Sequence, residues 1–373
     1  MNYAATLAGF LLLFLILGDT FETIVLPRTA TRRLRLTRLF YISTWAVWAF
    51  CARLDQSKSR RDSYLGVYGP LSLLLLIVCW ALGLIVSFAL IHWGIGTQVI
   101  ATNIPPGFIT DLYMSGTTFF TLGFGDVTPS NTFGRMLAIG EAGLGFGFLG
   151  VVIGYLPVIY QSFSRREVGI SQLDARAGSP PTAAELLRRH SAEGCMSELT
   201  GYLREWEKWA SDLLESHLSY PVLVFYRSQH DRESWLAALT AILDTCALLH
   251  IGLAGKEEWI KPLSWQTRLT FAICRHAVVD LALIFRVDPL PLPTERLTVE
   301  MYESIRSTLK EAGLSLCEDP AAYEGLEEMR RQYEPYLNGL AQRLMLEIPP
   351  FLAEQVADNW QTSAWDAEGH FHH

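Results

Sequence analysis

The 373-residue sequence lacks the hallmarks of several common protein classes. Its six cysteines form no CxxC pair and no dense framework, which argues against a zinc-binding or disulfide-rich fold, so we expect reduced cysteines. Residues 181–373 contain no Gly-x-Gly-x-x-Gly motif, so no nucleotide-binding domain of that type is predicted there. No sustained alternation of apolar and polar residues indicates β-strands. We therefore expect a helical protein.

Basic residues are also too few for a nucleic-acid-binding protein. The chain carries 30 Lys and Arg against 38 Asp and Glu, a net charge of −8, whereas phosphate backbones require basic patches. The charge is unevenly placed: residues 1–165 carry 11 Lys or Arg and 7 Asp or Glu, and the remainder carries 19 and 31. Hydrophobic residues are half of the total and are unevenly placed too. This distribution predicts a membrane part followed by an acidic soluble part.

Three apolar stretches are long enough to cross a bilayer: Ala4–Leu26, Leu65–Trp93 and Thr132–Phe163. The first has neither the basic start nor the cleavage site of a signal peptide, so we predict a retained transmembrane helix. It contains Asp19 and Glu22, which need partners at that depth. We predict that Arg28 and the arginines after it supply them.

A basic run follows the first span and has two interpretations. Arg32, Arg35 and Arg38 have the every-third spacing of a voltage-sensing helix, but a sensor needs several surrounding helices and only one span precedes the run. We therefore favour a cytoplasmic, positive-inside loop. The apolar segment 39–52 lies between this run and a second basic cluster. Because it is short and rich in Trp and Tyr, we predict that it lies on the cytoplasmic membrane surface.

The stretch Thr118-Phe-Phe-Thr-Leu-Gly-Phe-Gly-Asp126 lies between the second and third spans. Glycines at alternate positions, Gly123 and Gly125, permit backbone angles that other residues resist, so that carbonyls can point in one direction. Rings of backbone carbonyls can replace the water around a dehydrated cation. We predict that Thr121 adds a hydroxyl oxygen, that Leu122 and Phe124 point outward, and that Asp126 marks the outer mouth.

This stretch resembles the Thr-Val-Gly-Tyr-Gly-Asp selectivity filter of the potassium channel family, with Leu122 for Val and Phe124 for Tyr. The order of outer helix, re-entrant helix from Phe108, filter and inner helix is the pore module of that family, and the resemblance covers residues 65–166. It implies a homotetramer that conducts K⁺ through a filter of residues 121–125, with Thr118 as support. Phe120 stands where a second threonine is common, so a weakly selective cation channel is the alternative.

The predicted inner helix carries one acidic residue and several glycines. Glu141 has two possible roles: it supports the filter by hydrogen bonding to the pore helix, or it faces the cavity and concentrates cations. Gly145 falls where the family places its gating hinge, although glycines in membrane helices also permit close packing. Arg165 and Arg166 are expected to end this helix at the cytoplasmic surface.

Beyond a predicted linker at 167–180, which ends in Gly-Ser-Pro-Pro, the pattern is helical throughout. Expected helices begin at Thr182 and cover 198–218, 232–253, 264–286, 295–312, 321–346 and 351–360. Two pairs four residues apart, Cys246 with His250 and His276 with Asp280, are interpreted as core residues rather than zinc ligands. We predict no catalytic site and no resident metal.

The sequence thus predicts an all-α membrane protein in four parts: an N-terminal transmembrane and surface helix (1–64), a pore domain (65–166), a linker (167–180) and a helical cytoplasmic domain (181–373). We expect a multi-pass protein of the plasma membrane, not an enzyme, whose soluble domain regulates inner-helix bending through an unidentified ligand or cation. The alternative from another class is a membrane-anchored sensor with a vestigial pore.

Overall fold

The computed structural model describes residues 2–26, 35–101, 105–228, 233–253, 257–291, 296–317, 319 and 321–353. The chain divides into two compact units, Met1–Gln161 (unit 1) and Ser162–His373 (unit 2). Most of the described residues are helical, and the two strands among them have three residues each. The predicted all-α class is therefore confirmed.

Unit 1 contains the predicted membrane helices and the segment between them. Its elements are α1 (Tyr3–Thr20, continued by a π-helical turn at Phe21–Val25), α2 (Leu36–Leu54), α3 (Lys58–Ile95), β1 (Val99–Ala101), α4 (Phe108–Phe119), β2 (Val127–Pro129) and α5 (Thr132–Ala177), which runs on into unit 2. By length and composition, Tyr3–Val25, α3 and α5 could each cross a membrane. These are the three predicted spans.

Helices α1 and α3 pack antiparallel through small residues. The N–H of Asn2 donates to the carbonyl of Gly94 over 2.6 Å. A Cβ on Gly9 would lie only 2.7 Å from the carbonyl oxygen of Ser87, so the two backbones approach each other closely there. Close backbone approach at small residues is the usual basis of helix pairing in membranes.

Asp19 has different partners from those predicted. Its buried carboxylate accepts hydrogen bonds from the Thr37 N–H (3.1 Å) and hydroxyl (2.6 Å) and from the Trp80 indole (2.9 Å). Asp19 therefore joins α1 to the start of α2 and to α3. Glu22 lies 3.7 Å from Arg35, as the arginine pairing predicted. Residues 27–34, with Arg28 and with Arg32 of the possible voltage-sensing run, lie outside the described residues, whereas Arg35 and Arg38 are described.

Helix α2 is longer than predicted and packs along the first half of α3. Thr37, at its start, lies near Trp80, whereas Trp48, further along, stacks on Tyr64 at 4.4 Å. Contacts thus move back along α3 as the chain advances along α2, which is an antiparallel pairing. The extra residues beyond 39–52 include Thr37 and Arg38 at one end and Arg53 at the other, so hydropathy alone did not reveal them.

Unit 2 is a helical bundle around a central helix. Its elements are the end of α5, α6 (Ala183–Ala192), α7 (Leu199–Ser219), a 3₁₀ turn (Pro221–Phe225), α8 (Trp235–Gly252), α9 (Ile260–Ile284), α10 (Val299–Glu311), α11 (Ala321–Arg331) and α12 (Glu334–Leu344). Helix α8 is apolar enough for a membrane span, but 89% of that window is buried inside the unit. A helix that is apolar all round is here the centre of a soluble-type core.

The inner helix does not end at Arg165 and Arg166. It continues to Ala177, so most of the predicted linker at 167–180 is helical. Ile170, Leu173 and Ala177 are at most 2% exposed and belong to the core of unit 2. Their spacing of three and four residues forms an apolar helical face, which outweighs the two arginines as a signal.

Other elements of unit 2 match the sequence with local differences. Thr182 caps α6 by accepting the Glu185 N–H, as predicted. The expected helix at 321–346 is two helices, because the chain turns at Tyr333, whose hydroxyl donates to buried Asp244 over 2.6 Å. Residues 351–353 are not helical, and the rest of the predicted last helix, 354–360, lies outside the described residues.

The two histidines interpreted as core residues are exposed. Cys246 is buried as expected, but His250 and His276 lie at the surface. His276 lies 3.5 Å from Asp280, one helical turn away. Among the residues that the structure describes, no group of three or more His, Cys, Asp or Glu side chains is placed to hold a metal ion.

Candidate functional site

The pore helix α4 is a short helix whose chain enters and leaves on the same side. Strands β1 and β2 pair antiparallel, with Ile100 opposite Thr128, so the two ends of the intervening segment meet. Helix α4 has 12 residues, a length of about 18 Å, which is too short to cross a bilayer. Phe119, at its end, is buried against residues of α3. This is the geometry of a re-entrant helix.

The segment Thr121–Asp126 that follows α4 has alternating backbone handedness. The φ angles of Thr121, Gly123 and Gly125 are 55°, 59° and 77°, while Leu122 and Phe124 between them have negative φ. Alternation of left- and right-handed conformations turns successive peptide groups to the same side. Glycine adopts positive φ without strain. Threonine adopts a positive φ only with strain, so the backbone of Thr121 is strained. Strained residues of this kind cluster at functional sites.

The start of this segment is fixed to the pore helix by backbone hydrogen bonds. The N–H of Thr121 donates to the Thr118 carbonyl over 3.0 Å, and that of Leu122 to the Thr117 carbonyl over 2.8 Å. Thr118 thus contacts the segment as its predicted support role requires. Further along, the side chains of Leu122 and Phe124 are 55% and 66% exposed, so they are largely uncovered within one chain.

Asp126, the predicted outer mouth, is held by a residue that the sequence analysis missed. The hydroxyl of Tyr113 on α4 donates to its carboxylate over 2.9 Å. Both side chains are exposed. The bond ties the outer end of the segment back to the pore helix, so both ends are attached to α4. Tyr113 lies thirteen positions before Asp126, a separation at which no sequence periodicity indicates contact.

Glu141 lies behind the pore helix rather than in a cavity. Its side chain is fully buried, and the Ser115 hydroxyl of α4 donates to Oε1. Its Oε2 lies 3.8 Å from Nε2 of His92, at the end of α3. Of the two predicted arrangements, the structure therefore has the one that contacts the pore helix. A carboxylate at this depth is costly unless it has such partners.

At Gly145 the inner helix lies directly against the backbone of the pore helix. A Cβ at this position would overlap the backbone carbonyl of Phe119. The glycine is thus required for packing, one of its two predicted roles. Helix α5 is continuous through this position, and the hinge role stays a prediction. At Gly147 a Cβ would meet open space.

The remaining faces of α5 in unit 1 are apolar and uncovered within one chain. Its membrane-spanning window is only 17% buried. The exposed side chains are large and hydrophobic, namely Phe133, Met136, Ile139, Phe146, Leu149 and Ile153. A patch of this extent marks contact with lipid or with another protein surface.

One chain provides one strand of carbonyl oxygens, which cannot surround an ion. Several copies that meet on an axis could provide rings of oxygens from residues 121–125. The exposed segment and the uncovered α5 face lie within the same unit, as such an assembly requires.

Comparison with known proteins identifies this region. Residues 73–161 match the family model described as "Ion channel". The match covers α3 from residue 73 onward, α4, the segment Thr121–Asp126 and the first part of α5, and it confirms the predicted channel-type pore module. Because the matched region is only part of the chain, the family match applies to residues 73–161 alone.

A relative supports the membrane character of the protein. The uncharacterized membrane protein YdjJ of Bacillus subtilis (strain 168) is 23% identical over 219 residues, which is 58% of this chain and 62% of the relative. An alignment of that length exceeds unit 1 and includes part of unit 2. The chain thus covers less than two thirds of the relative. No solved structure matches the present chain.

Proposed function

We propose that the protein is one subunit of a homotetrameric potassium channel, with K⁺ as the permeant ion. The observation that carries this proposal is the alternation of positive φ at Thr121, Gly123 and Gly125 in an exposed segment fixed to a re-entrant helix. Its position within an ion-channel family match supports the same conclusion. The carbonyls of residues 121–125 and the Thr121 hydroxyl form the ion sites, and Asp126 forms the mouth.

Four copies are proposed because one side of the filter segment and one face of the inner helix are uncovered within one chain. Leu122, Phe124 and the apolar face of α5 would be covered by adjacent subunits and lipid. Closed cyclic symmetry places identical filter strands around one axis, where each contributes one oxygen to every ring.

The membrane placement follows from charge. Basic residues around α2 favour the cytoplasmic side, and the segment between α3 and α4 has no Lys or Arg. Three spans then place the N-terminus outside and unit 2 in the cytoplasm, with the protein in the plasma membrane. A cysteine introduced at Ser57 should react with an impermeant reagent only from the cytoplasmic side, and reaction from outside would refute this topology.

Unit 2 is proposed to regulate the pore. Since α5 continues into unit 2, where Ile170, Leu173 and Ala177 belong to the core, a change in that unit acts directly on the inner helix. Bending near Gly145 would then open or close the cytoplasmic end. A ligand achieves this only by binding one state more tightly. The net negative charge of residues 166–373 favours a divalent cation or a basic partner as that ligand.

The filter is tested with matched glycine variants in liposome flux assays. Gly123→Ala and Gly125→Ala should abolish K⁺ flux because each places a Cβ at a positive φ. Gly147→Ala is the control, since its Cβ meets open space. Equal flux in all three variants would refute the filter assignment. Equal K⁺ and Na⁺ flux in the wild type would indicate a weakly selective channel, and no flux a sensor with a vestigial pore.

A further inference from the structure

His92 lies in a buried polar chain that connects three elements of unit 1. It is fully buried in the last turn of α3, and its Nδ1 lies 3.1 Å from the Thr97 hydroxyl. Its Nε2 faces Glu141 of α5 at 3.8 Å, and Glu141 in turn accepts a hydrogen bond from Ser115 of α4. The chain Thr97–His92–Glu141–Ser115 therefore joins the outer helix, the inner helix and the pore helix.

Two atoms of this chain face each other without other partners. Glu141 Oε2 and His92 Nε2 are both buried, and neither has a hydrogen-bond partner among the described residues. A buried carboxylate oxygen without a donor is strongly unfavourable, above all within a membrane. The His92 imidazole is the side chain that approaches this oxygen, so a slight movement would complete the carboxylate's second bond.

The position of Ser115 shows why this matters for the pore. Ser115 lies one helical turn before Phe119, where α4 ends and the filter segment begins. Asp111, one turn earlier on the same face, is also buried and interacts electrostatically with His92. The polar groups near His92 are thus Thr97, Asp111 on α4 and Glu141 on α5, and Ser115 is connected to His92 through Glu141.

We propose that His92 is a positioning residue for the filter: through Glu141 it holds Ser115, and with it the end of the pore helix. This inference rests on the proposed channel function. Without His92, the carboxylate of Glu141 keeps only its bond from Ser115, its second oxygen faces no donor, and the side chain is held less firmly. The end of the pore helix, where the filter segment begins, would then no longer be held in one position. Selection between K⁺ and Na⁺ would weaken.

The test compares variants of the full-length protein by the permeability ratio of Na⁺ to K⁺, taken from reversal potentials in planar bilayers. His92→Ala should raise the ratio about tenfold, which corresponds to about 1.4 kcal/mol, because the Glu141 carboxylate loses the imidazole that faces its second oxygen. His92→Gln, which keeps a donor near the position of Nε2, should stay close to the wild type. Ser87→Ala is the control, because this buried hydroxyl on α3 bonds only to the Gly83 carbonyl.

A second variant tests the same chain of contacts if His92→Ala does not fold. Ser115→Ala removes a single hydroxyl and should raise the ratio in the same direction. If both residues act through Glu141, the double variant His92→Ala/Ser115→Ala should change the ratio by less than the product of the two single effects.

The outcomes separate this inference from the proposed function. A selective wild type with an unchanged ratio in His92→Ala, or in Ser115→Ala where the first does not assemble, overturns the positioning role alone. Failure of His92→Gln to preserve selectivity also counts against it, since the donor would then not be the relevant feature. A wild type without preference for K⁺ overturns the proposed function and this inference together.

Discussion

Replacement of Arg166 by methionine should loosen unit 2 while its neighbour Arg165 tolerates the same change. Arg166 is 3% exposed, although it belongs to the helix that lines the proposed pore. Its guanidinium donates to Glu167 (3.0 Å) and to two backbone carbonyls, those of Leu223 (2.9 Å) and Tyr226 (2.7 Å). The end of α5 is thereby bonded to the 3₁₀ turn after α7. Arg165, the adjacent residue, is exposed.

The expected magnitude follows from the groups that Arg166→Met leaves behind. Loss of one partner of a buried ion pair typically costs about 3–5 kcal/mol, because the remaining groups are desolvated without compensation. Glu167 keeps one bond, from the Ser228 hydroxyl at 2.5 Å, so we expect the lower end of this range, about 3 kcal/mol. Arg165→Met should change stability by less than about 0.5 kcal/mol, as exposed substitutions do.

Hydrogen–deuterium exchange of the full-length protein in detergent measures this difference. Peptides from α8, the central helix of unit 2, should exchange about 100-fold faster in Arg166→Met, since each 1.36 kcal/mol is a factor of ten. Arg165→Met should match the wild type. Equal protection of α8 in both variants would refute the view that the end of α5 is a structural part of unit 2.

Three further predictions concern the filter, the inner helix and pH. Tyr113→Phe should destabilise the conducting filter by about 1 kcal/mol through loss of its bond to Asp126, seen as faster decline of current during sustained opening. Gly145→Ala should lower the thermal stability of the assembly because its Cβ overlaps the Phe119 carbonyl, whereas Gly147→Ala should not. Burial and nearby Arg166 lower the pKa of His217 from 6.5 to about 3, so unit 2 should lose stability as pH falls below 6.5, by about 2 kcal/mol at pH 5, in denaturant titrations. His217→Gln should remove this dependence, and an unchanged slope would contradict it.

The pore segment could be predicted because its signals are local. Glycines at alternate positions, flanked by apolar runs of membrane length, indicate a filter without knowledge of distant contacts. The positive φ of Thr121 has no such signal, since threonine rarely adopts it. Local sequence therefore predicts where the site lies but not all of its backbone geometry.

Partners that are distant in sequence could not be predicted. Tyr113, Ser115 and His92 meet the filter mouth or Glu141 only through tertiary packing, and no periodicity encodes such a pairing. For the same reason Asp19 was assigned to the nearby arginines, whereas it bonds to Thr37 and, 61 residues away, to Trp80.

The end of the inner helix shows two signals in conflict. Paired arginines after an apolar run usually mark the membrane surface. The face formed by Ile170, Leu173 and Ala177 is the opposing signal, and burial of this face in unit 2 extends the helix past Arg166. A charged side chain is compatible with burial when every donor finds an acceptor, which only the folded unit reveals.

The central claim is K⁺ selection by a filter shared among four chains. Its most direct test is the reversal potential of the purified, full-length protein in planar bilayers with opposed K⁺ and Na⁺ gradients, on preparations whose mass in detergent is determined by native mass spectrometry. For a tetrameric potassium channel, we expect a tetramer whose reversal potential follows the K⁺ equilibrium potential. A reversal potential that does not respond to the K⁺ gradient, or currents from a preparation that contains only monomer, would contradict it.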